Sequence, residues 1–206
     1  ITSIIAATSS LEQEDQISSS KIHNSLILEI RIAVGRLNRL VENLLDMARL
    51  ESGKLKLKYT WNEISDVLNS VAARMKEELK TNNLEIKIIG DIPIFQYDFG
   101  LLEQALINVI HNSIIYSPQN SVIQVYVKAE AEFCTIEIID NGPGLPTEAF
   151  DRLFEKFYRV PGTKTGGTGL GLSIAKGLIE SHGGNISVKN NADKGATFRI
   201  MIPIKL

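Results

Sequence analysis

The spacing of apolar residues divides the chain into two parts that differ in periodicity. Between residues 26 and 48, apolar residues recur at alternating steps of three and four, the heptad pattern of a helix that packs against other helices. A second stripe at steps of seven widens the buried face to that of a helix in a bundle. The first stripe consists of Ile27, Ile30, Val34, Leu37, Val41, Leu44 and Ala48, and the second of Leu26, Ala33, Leu40 and Met47.

These stripes predict a long helix over Ser20–Glu51. Gly53 is expected to end it, because glycine adopts the left-handed conformation of a helix C-cap without a steric penalty. Upstream, Ile1–Ser10 has the pattern of the tail of another helix, and the polar residues 12–16 form the connection. We therefore predict a helical hairpin with an incomplete first helix over residues 1–53, whose apolar face requires a partner, most simply a second copy of the chain.

From residue 54 to residue 206, short strands alternate with helices, which predicts an α+β sandwich with helices on one face of a mixed sheet. The predicted strands are Leu55–Tyr59, Leu84–Ile89, Val122–Val127, Thr135–Ile139, Asn185–Lys189 and Thr197–Pro203, of which the third and fourth form an antiparallel pair. The predicted helices run from Asn62 or Ser65 to Lys80, over Asp98–Tyr116, around Thr147–Phe157 and over Leu170–Ser181, with a loop at 159–167.

Composition excludes several classes of protein. With 44% hydrophobic and 22% charged residues, the 206-residue chain is neither collagen-like nor wholly disordered. Its 22 basic and 24 acidic residues give no positive footprint for nucleic acid. Cys134 has no second cysteine to pair with, and the longest stretch without charges, Gln104–Val127, contains too many polar residues for a membrane span. The absence of both an initiator methionine and a signal peptide indicates a fragment of a longer protein.

Two glycine-rich segments are candidates for phosphate binding. The spacing Asp140-x-Gly142-x-Gly144 follows a predicted strand, and Gly167 to Gly171 opens a predicted helix. Glycines that lead into a helix N-terminus expose backbone N–H groups at the positive end of the helix dipole, which suits phosphate. The alternative is that both loops only need positive φ angles. Neither segment has the glycine spacing of a dinucleotide-binding fold or the Lys-Ser/Thr pair of a P-loop.

Asn108 and Asn112 lie four residues apart and therefore on one face of a predicted helix. Burial of two unpaired carboxamides is costly, so they suit contacts with a hard cation or with water at a phosphate better than packing. Asparagines that cap a helix end are the alternative.

Taken in order, these segments resemble the nucleotide-binding boxes of bacterial sensor histidine kinases. The matching segments are Asp98 to Pro118, with Gln104, Asn108, Asn112 and Tyr116, for the N box; Asp140-Asn141-Gly142-Pro143-Gly144-Leu145 for the G1 box; Phe154 to Arg159 for the F box; and Gly167-Thr168-Gly169-Leu170-Gly171-Leu172 for the G2 box. Leu37–Met47 and the following Arg49–Gly53 resemble the second dimerisation helix, and with Trp61 they are most similar to the potassium-responsive Kdp-type sensor kinases.

The resemblance implies an ATP-binding domain of the fold shared with gyrase, Hsp90-type chaperones and MutL. In that family, the residue that corresponds to Asp140 accepts a hydrogen bond from the adenine amino group. The residue that corresponds to Asn112 ligates Mg²⁺, with Asn108 as its neighbour one turn earlier. The aromatic residue that corresponds to Tyr116 lies beside the nucleotide.

The same resemblance implies roles for the glycine boxes. Gly142 and Gly144 would hinge a lid that runs to about residue 166. In the second box, the backbone would approach the phosphates, and this box contains Gly167, Thr168, Gly169, Leu170 and Gly171. Arg159 is a candidate contact of the γ-phosphate, with a solvated surface arginine as the alternative.

One residue departs from the family pattern. The family usually places a lysine before the N-box tyrosine, where this chain has Ile115. Loss of one charged contact with phosphate corresponds to about 1–3 kcal/mol, so weak ATP binding or slow chemistry is one expectation.

The three histidines, His23, His111 and His182, lie outside the motif of the phosphorylated histidine. His182 is expected to contact a helix C-terminus. The isolated chain should therefore bind ATP without autophosphorylation.

The resulting hypothesis is the catalytic region of a two-component sensor histidine kinase. The parent would transfer the γ-phosphoryl group of ATP, with Mg²⁺, to an upstream histidine and then to an aspartate of a response regulator receiver domain. It would be a homodimer and the cytoplasmic portion of a membrane-anchored sensor. Two alternatives are a degenerate regulatory nucleotide-binding module, motivated by Ile115, and an ATPase or protein serine kinase like the anti-sigma factors. The second alternative lacks a dimerisation hairpin.

Overall fold

The structure is a computed structural model, and it describes residues 21–53, 55–162 and 168–205. The chain divides into two compact units, residues 1–48 and 49–206. The predicted first helix over Ile1–Ser10 and its connection lie outside the described residues. No helix in the described part of the chain has the length and apolar composition that crossing a bilayer requires.

The predicted long helix is present as α1, Lys21–Glu51. Gly53 follows it with φ +62° and donates its N–H to the Leu50 carbonyl, so the predicted glycine stop is confirmed. The two predicted apolar stripes are only partly buried. Ile27, Val34 and Met47 are buried, whereas Ile30, Leu37, Leu40, Val41, Leu44 and Leu45 are exposed.

A five-stranded sheet forms the centre of the second unit. Its strands lie in the order β2 (Asn83–Ile89), β4 (Val122–Glu130), β5 (Phe133–Ile139), β7 (Ala196–Pro203) and β6 (Asn185–Asn190). The pairing of β2 with β4 is parallel and the other three pairings are antiparallel. The predicted mixed sheet, including the antiparallel pair of β4 and β5, is confirmed. A separate two-stranded ribbon pairs β1 (Thr60–Asn62) with β3 (Phe95–Tyr97).

Alternation along the strands separates the two faces of the sheet. Val125, Ile138 and Phe198 occupy one row of the ladder and are buried, whereas the neighbouring row with Glu137 and Arg199 is half-buried and polar. Three helices contact the sheet: α2 (Ile64–Arg74), α3 (Phe99–Tyr116) and α4 (Gly171–Ser181). The predicted α+β architecture is therefore confirmed.

The structure differs from the prediction at three places near the start of the second unit. Leu55–Tyr59 is not a strand, because the Lys58 N–H donates to the Asp98 carboxylate instead of to a neighbouring strand. The first strand is β1, and the short strand β3, which follows Pro93, was not predicted. The helix predicted to reach Lys80 ends at Arg74, and a separate 3₁₀ turn spans Glu78–Thr81.

The caps and the F-box helix also differ from the prediction. Neither Asn62 nor Ser65 caps α2, because its N-cap residue is Glu63 and the Asn62 amide donates to the backbone of the ribbon. The helix expected around Thr147–Phe157 is only a 3₁₀ turn, Thr147–Ala149. Phe157 has a φ angle of +63°, which an α-helix does not accommodate.

A buried carboxylate fixes α3 against α2. Glu103 is 8% exposed and accepts hydrogen bonds from the Ser70 hydroxyl and the Arg74 guanidinium, both at 2.5 Å. Charge-assisted bonds that are shielded from solvent on one side stabilise more than exposed ion pairs do. Glu103 therefore positions the helix that carries the two candidate asparagines.

Substitution Glu103→Ala should lower the free energy of unfolding by about 1–3 kcal/mol, because it removes two hydrogen bonds and leaves the half-buried Ser70 hydroxyl without this partner. Urea unfolding followed by circular dichroism measures the change. The control is Lys80→Ala, which removes the exposed ion pair between Lys80 and Glu77 and should cost less than about 0.5 kcal/mol. Equal losses in the two variants would contradict the prediction.

Candidate functional site

The candidate site is built around a buried carboxylate at the end of a central strand. Asp140 directly follows β5 and is 5% exposed. Its Oδ1 accepts hydrogen bonds from the N–H groups of Gly142 at 2.9 Å and Ala196 at 3.0 Å. Its Oδ2 receives no hydrogen bond from the described residues. Burial raises the pKa of the Asp140 carboxyl, and the two backbone bonds oppose this shift. One oxygen of this buried residue is thus left for a ligand donor.

A turn between β6 and β7, which was not predicted from the sequence, holds the backbone of Asp140. The Asn191 amide donates to the Asp140 carbonyl and to the Lys194 carbonyl, both at 3.2 Å, and its own oxygen accepts from the Thr197 hydroxyl. A Cβ atom at Gly195 would lie 1.9 Å from the Asp140 carbonyl oxygen, so only glycine fits there. The available signal was Asn191 and Gly195 in one short connection between two predicted strands.

The N-box residues lie on α3, which starts with a side-chain cap from Asp98 to the Leu101 N–H. Asn108 is 8% exposed, and its Nδ2 has no hydrogen-bond partner among the described residues. Asn112 and Tyr116 are half-buried. Asn-rich capping is excluded as the reason for the pair, because both asparagines lie inside the helix.

The structure brings both predicted glycine boxes to α3. The Tyr116 carbonyl oxygen is 2.9 Å from the position that a Cβ atom would take at Gly142, so this end of α3 abuts the Asp140 turn. The Asn108 Oδ1 is 3.7 Å from a Cβ position at Gly171, the first residue of α4. Asp140 and Asn108 therefore lie at the two places where α3 meets the glycine boxes.

The requirement for positive φ explains only part of the glycine pattern. Gly144 and Gly169 have φ angles of +76° and +72°, and a Cβ atom at Gly169 would lie 2.7 Å from the Phe157 backbone. Gly171 has no positive φ, and a Cβ atom there would make only ordinary contacts. Since neither conformation nor packing within the described residues requires glycine at 171, close approach of a ligand accounts for it better.

The N-terminus of α4 suits an anion. Leu170 is the N-cap residue of α4 and has no side-chain group to cap the first turn. Its own N–H donates to the Thr168 hydroxyl at 3.3 Å. The free N–H groups of the first turn and the helix dipole together attract negative charge. Gly167, which the sequence analysis placed in this box, lies outside the described residues.

The sequence also singled out Arg159 as a candidate phosphate contact and His182 as a contact of a helix C-terminus. Arg159 is exposed, which fits both roles considered for it. His182 is buried, its Nδ1 donates to the Leu178 carbonyl at 2.8 Å, and its Nε2 accepts from the Asp98 N–H at 3.2 Å. The predicted contact of His182 with a helix C-terminus is confirmed, and it connects the end of α4 to the start of α3.

The residues fit a magnesium ion that is bound together with a phosphate. Among the described residues, no group of three His, Cys, Asp or Glu side chains forms a metal site by itself. Mg²⁺ is commonly held by one or two protein oxygens with phosphate and water as the other ligands. The half-buried Asn112 amide, one turn from the unpartnered Asn108, provides an oxygen of this kind at the site.

The chain matches known proteins in sequence and in fold. The sequence pattern of the histidine kinase-, DNA gyrase B-, and HSP90-like ATPases matches residues 97–206. The sensor protein KdpD of Escherichia coli is 35% identical over 192 residues, which cover 92% of this chain and 21% of KdpD. The chain therefore spans about a fifth of that relative.

Two solved structures share the fold. Full-length ShkA in complex with AMPPNP has a TM-score of 0.76 at 22% identity, over 99% of this chain and 46% of ShkA. The histidine kinase ThkA in complex with the response regulator protein TrrA has a TM-score of 0.71 at 21% identity, over 98% of this chain and 58% of ThkA. With the family pattern over more than half of its length and a Kdp-type sensor kinase among its relatives, this chain belongs to the histidine kinase-, DNA gyrase B-, and HSP90-like ATPase family.

Proposed function

We propose that this chain is the ATP-binding catalytic region of a two-component sensor histidine kinase. The observation that carries the proposal is the buried Asp140 carboxylate, with Oδ1 held by two backbone N–H groups and Oδ2 left for a ligand. Such an acceptor can bind the exocyclic amino group of a base, and adenine has one. The AMPPNP complex of ShkA, which has the same fold, supports a nucleotide as the ligand.

The other parts of the site would bind the phosphates. The first turn of α4 and the backbone at Gly169 and Gly171 offer N–H groups to an anion. The Asn112 side-chain oxygen would ligate Mg²⁺, and Asn108 would orient a phosphate or a bound water through its unpartnered Nδ2. When bound, Mg²⁺ neutralises charge on the phosphates.

The parent protein would transfer the γ-phosphoryl group of ATP to a histidine outside this chain. The bond between the γ-phosphorus and the bridging oxygen of ADP breaks as a bond to the imidazole nitrogen forms. In a second step, the phosphorus–nitrogen bond breaks and the phosphoryl group passes to an aspartate of a response regulator receiver domain. The ThkA structure contains a response regulator and supports this partner. Membrane attachment of the parent stays a prediction.

Homodimerisation through α1 is the second part of the proposal. Six large apolar residues of this helix are exposed, and five of them, all except Leu45, belong to the two predicted stripes. A second copy of the same helix presents the same spacing, so the surface is self-complementary in the way that a twofold interface requires. The same helix argues against the anti-sigma alternative, which lacks such a hairpin.

A regulatory nucleotide-binding module is the competing function, and Ile115 is the residue that favours it. This half-buried side chain follows Asn108 and Asn112 at helical spacing, where a cation would reach the phosphates. The three residues mark the phosphate side of the site. If the missing charge disables phosphoryl transfer, ATP would bind only as a signal.

Substitution Asp140→Asn should weaken ATP binding about 10- to 100-fold, because it replaces a charged acceptor by a neutral amide. Calorimetric titration of ATP and ADP, with and without Mg²⁺, measures the loss. Asp193→Asn, the same change at an exposed position in the turn before β7, is the control and should bind as the natural chain does. An unchanged affinity in Asp140→Asn, or no binding to the natural chain at millimolar ATP, would overturn the proposed site.

Substitution Ile115→Lys should raise the affinity for ATP about 3- to 10-fold, since it adds a cation on the phosphate side of α3. The gain should shrink as the salt concentration rises. The control is Ile114→Lys, which adds the same charge at the neighbouring half-buried position. Equal effects of the two variants, or no gain in Ile115→Lys, would show that residue 115 does not face the phosphates.

The chain should dimerise, and the double substitution of Leu37 and Leu44 by glutamate should produce a monomer, because it places charges on the exposed apolar stripe. Sedimentation equilibrium measures the association. Glu42→Lys, a charge change at an exposed polar position of the same helix, should leave the dimer intact. A natural chain that stays monomeric at high concentration would contradict this part of the proposal.

A further inference from the structure

The two-stranded ribbon of β1 and β3 has one exposed apolar face. Trp61 lies opposite Gln96 in this pairing, and paired residues of antiparallel strands point to the same face. Trp61 is 57% exposed, and Ile94, two residues before Gln96, is 50% exposed. On the other face, Phe95 and Tyr97 have no exposed surface. One face of the ribbon therefore fixes it to the second unit, and the other presents a tryptophan and an isoleucine to solvent.

The outer edge of β1 is also free. The Gln96 N–H donates to the Lys205 carbonyl at 2.9 Å, on the side of β3 that faces away from β1. The pair of Trp61 and Gln96 is therefore of the non-hydrogen-bonded type, in which the backbone groups of the two residues point away from each other. Within the described part of the chain, no group binds the N–H or the carbonyl of Trp61. Both groups thus lie at an open strand edge, to which another strand can add.

Lysines lie beside this edge. Lys56 and Lys58 are exposed on the residues that lead into β1, and the exposed Lys205 follows β7 next to β3. The nearby Asp98 carboxylate already accepts two backbone N–H groups, and Glu63 lies at the other end of β1. The whole chain has a net charge of −2, so this positive charge is a local feature at the start of the strand.

We infer that the free edge of β1 is a docking site for an extended acidic segment of another protein, which adds to the ribbon as a third strand. The Trp61 backbone provides two hydrogen bonds, and its indole provides apolar surface for an aliphatic side chain of the segment. Carboxylates of the segment lie beside Lys56 and Lys58, because opposite charges on neighbouring strands attract. If two copies of this edge paired, both strands would carry these lysines, which disfavours a second copy as the partner.

Trp61 is the single tryptophan of the chain, so its fluorescence measures binding directly. A short peptide that alternates glutamate and valine should shift the emission to shorter wavelength, because strand addition covers the exposed indole. The same peptide with lysine in place of glutamate should not bind. The acidic peptide with proline at its centre should not bind either, since proline has no N–H for the edge. Binding of the acidic peptide should weaken as the salt concentration rises.

Three results with these peptides would overturn the inference. The first is no shift at millimolar acidic peptide, and the second is an equal shift with the acidic and the basic peptide. The third is equal binding of the acidic peptide with and without proline, because charge alone and not strand addition would then explain the contact.

Charge reversal at the edge provides a matched control. The double substitution Lys56→Glu and Lys58→Glu should weaken the acidic peptide at least about 10-fold and allow the basic peptide to bind. Lys189→Glu makes the same change at an exposed position of β6, opposite Thr197 at the start of β7, and should leave both peptides as they are with the natural chain. Equal effects of Lys189→Glu and the double variant would contradict a local site. Trp61→Ala, followed by calorimetry, should weaken the acidic peptide and leave ATP binding unchanged.

Two other partners would give different results. If vesicles of phosphatidylglycerol shift the Trp61 emission and the acidic peptide does not, the surface binds lipid and the inference is wrong. If the double variant of Leu37 and Leu44 still self-associates, Trp61→Ala abolishes this association and the peptide does not bind, the partner is a second copy and the inference is also wrong.

Discussion

The candidate site depends on one interaction, the pair of backbone N–H bonds that hold the Asp140 Oδ1. One donor, Gly142, is two residues away, whereas the other, Ala196, is separated by 56 residues. The register of β5 and β7, in which Ile139 faces Thr197, places the second donor beside the carboxylate. The sheet thus fixes one oxygen of a buried acid and leaves the other for a ligand. A buried carboxylate without these bonds would be protonated more readily and would be a weaker acceptor.

The site also requires that α3 has a fixed position relative to Asp140, and hydrogen bonds of Asp98 hold the start of this helix. Its Oδ1 caps α3, its Oδ2 accepts from the Lys58 N–H, and its own N–H donates to His182 at the end of α4. Glu103 adds the bond to Arg74 on α2 one turn later. Each neighbouring element is therefore connected to the first two turns of α3, and the last two turns, which carry Asn112 and Tyr116, form the wall of the site.

The sequence was sufficient for the elements that have strong local signals. The periodicity of α1 and α3 and the turn after β5 depend on residues that are close in the chain, and all were predicted. The ribbon of β1 and β3 was missed because each strand has only three residues and pairs with a segment more than thirty residues away. The bonds of Asn191 and Ala196 to Asp140 were missed for the same reason, since they follow from strand register.

Helix α3 meets the two glycine boxes at different places along its length. The Asn108 side chain lies near Gly171 at the start of α4, whereas the Tyr116 carbonyl abuts Gly142 beside Asp140. In the proposed function, a change of charge at residue 115 would act on the phosphates and leave the Asp140 carboxylate intact for the base. The chain could therefore lack the lysine that the family usually has and still keep the acceptor proposed for adenine. Base specificity and phosphate affinity would then be separable, because they would depend on different residues around one helix.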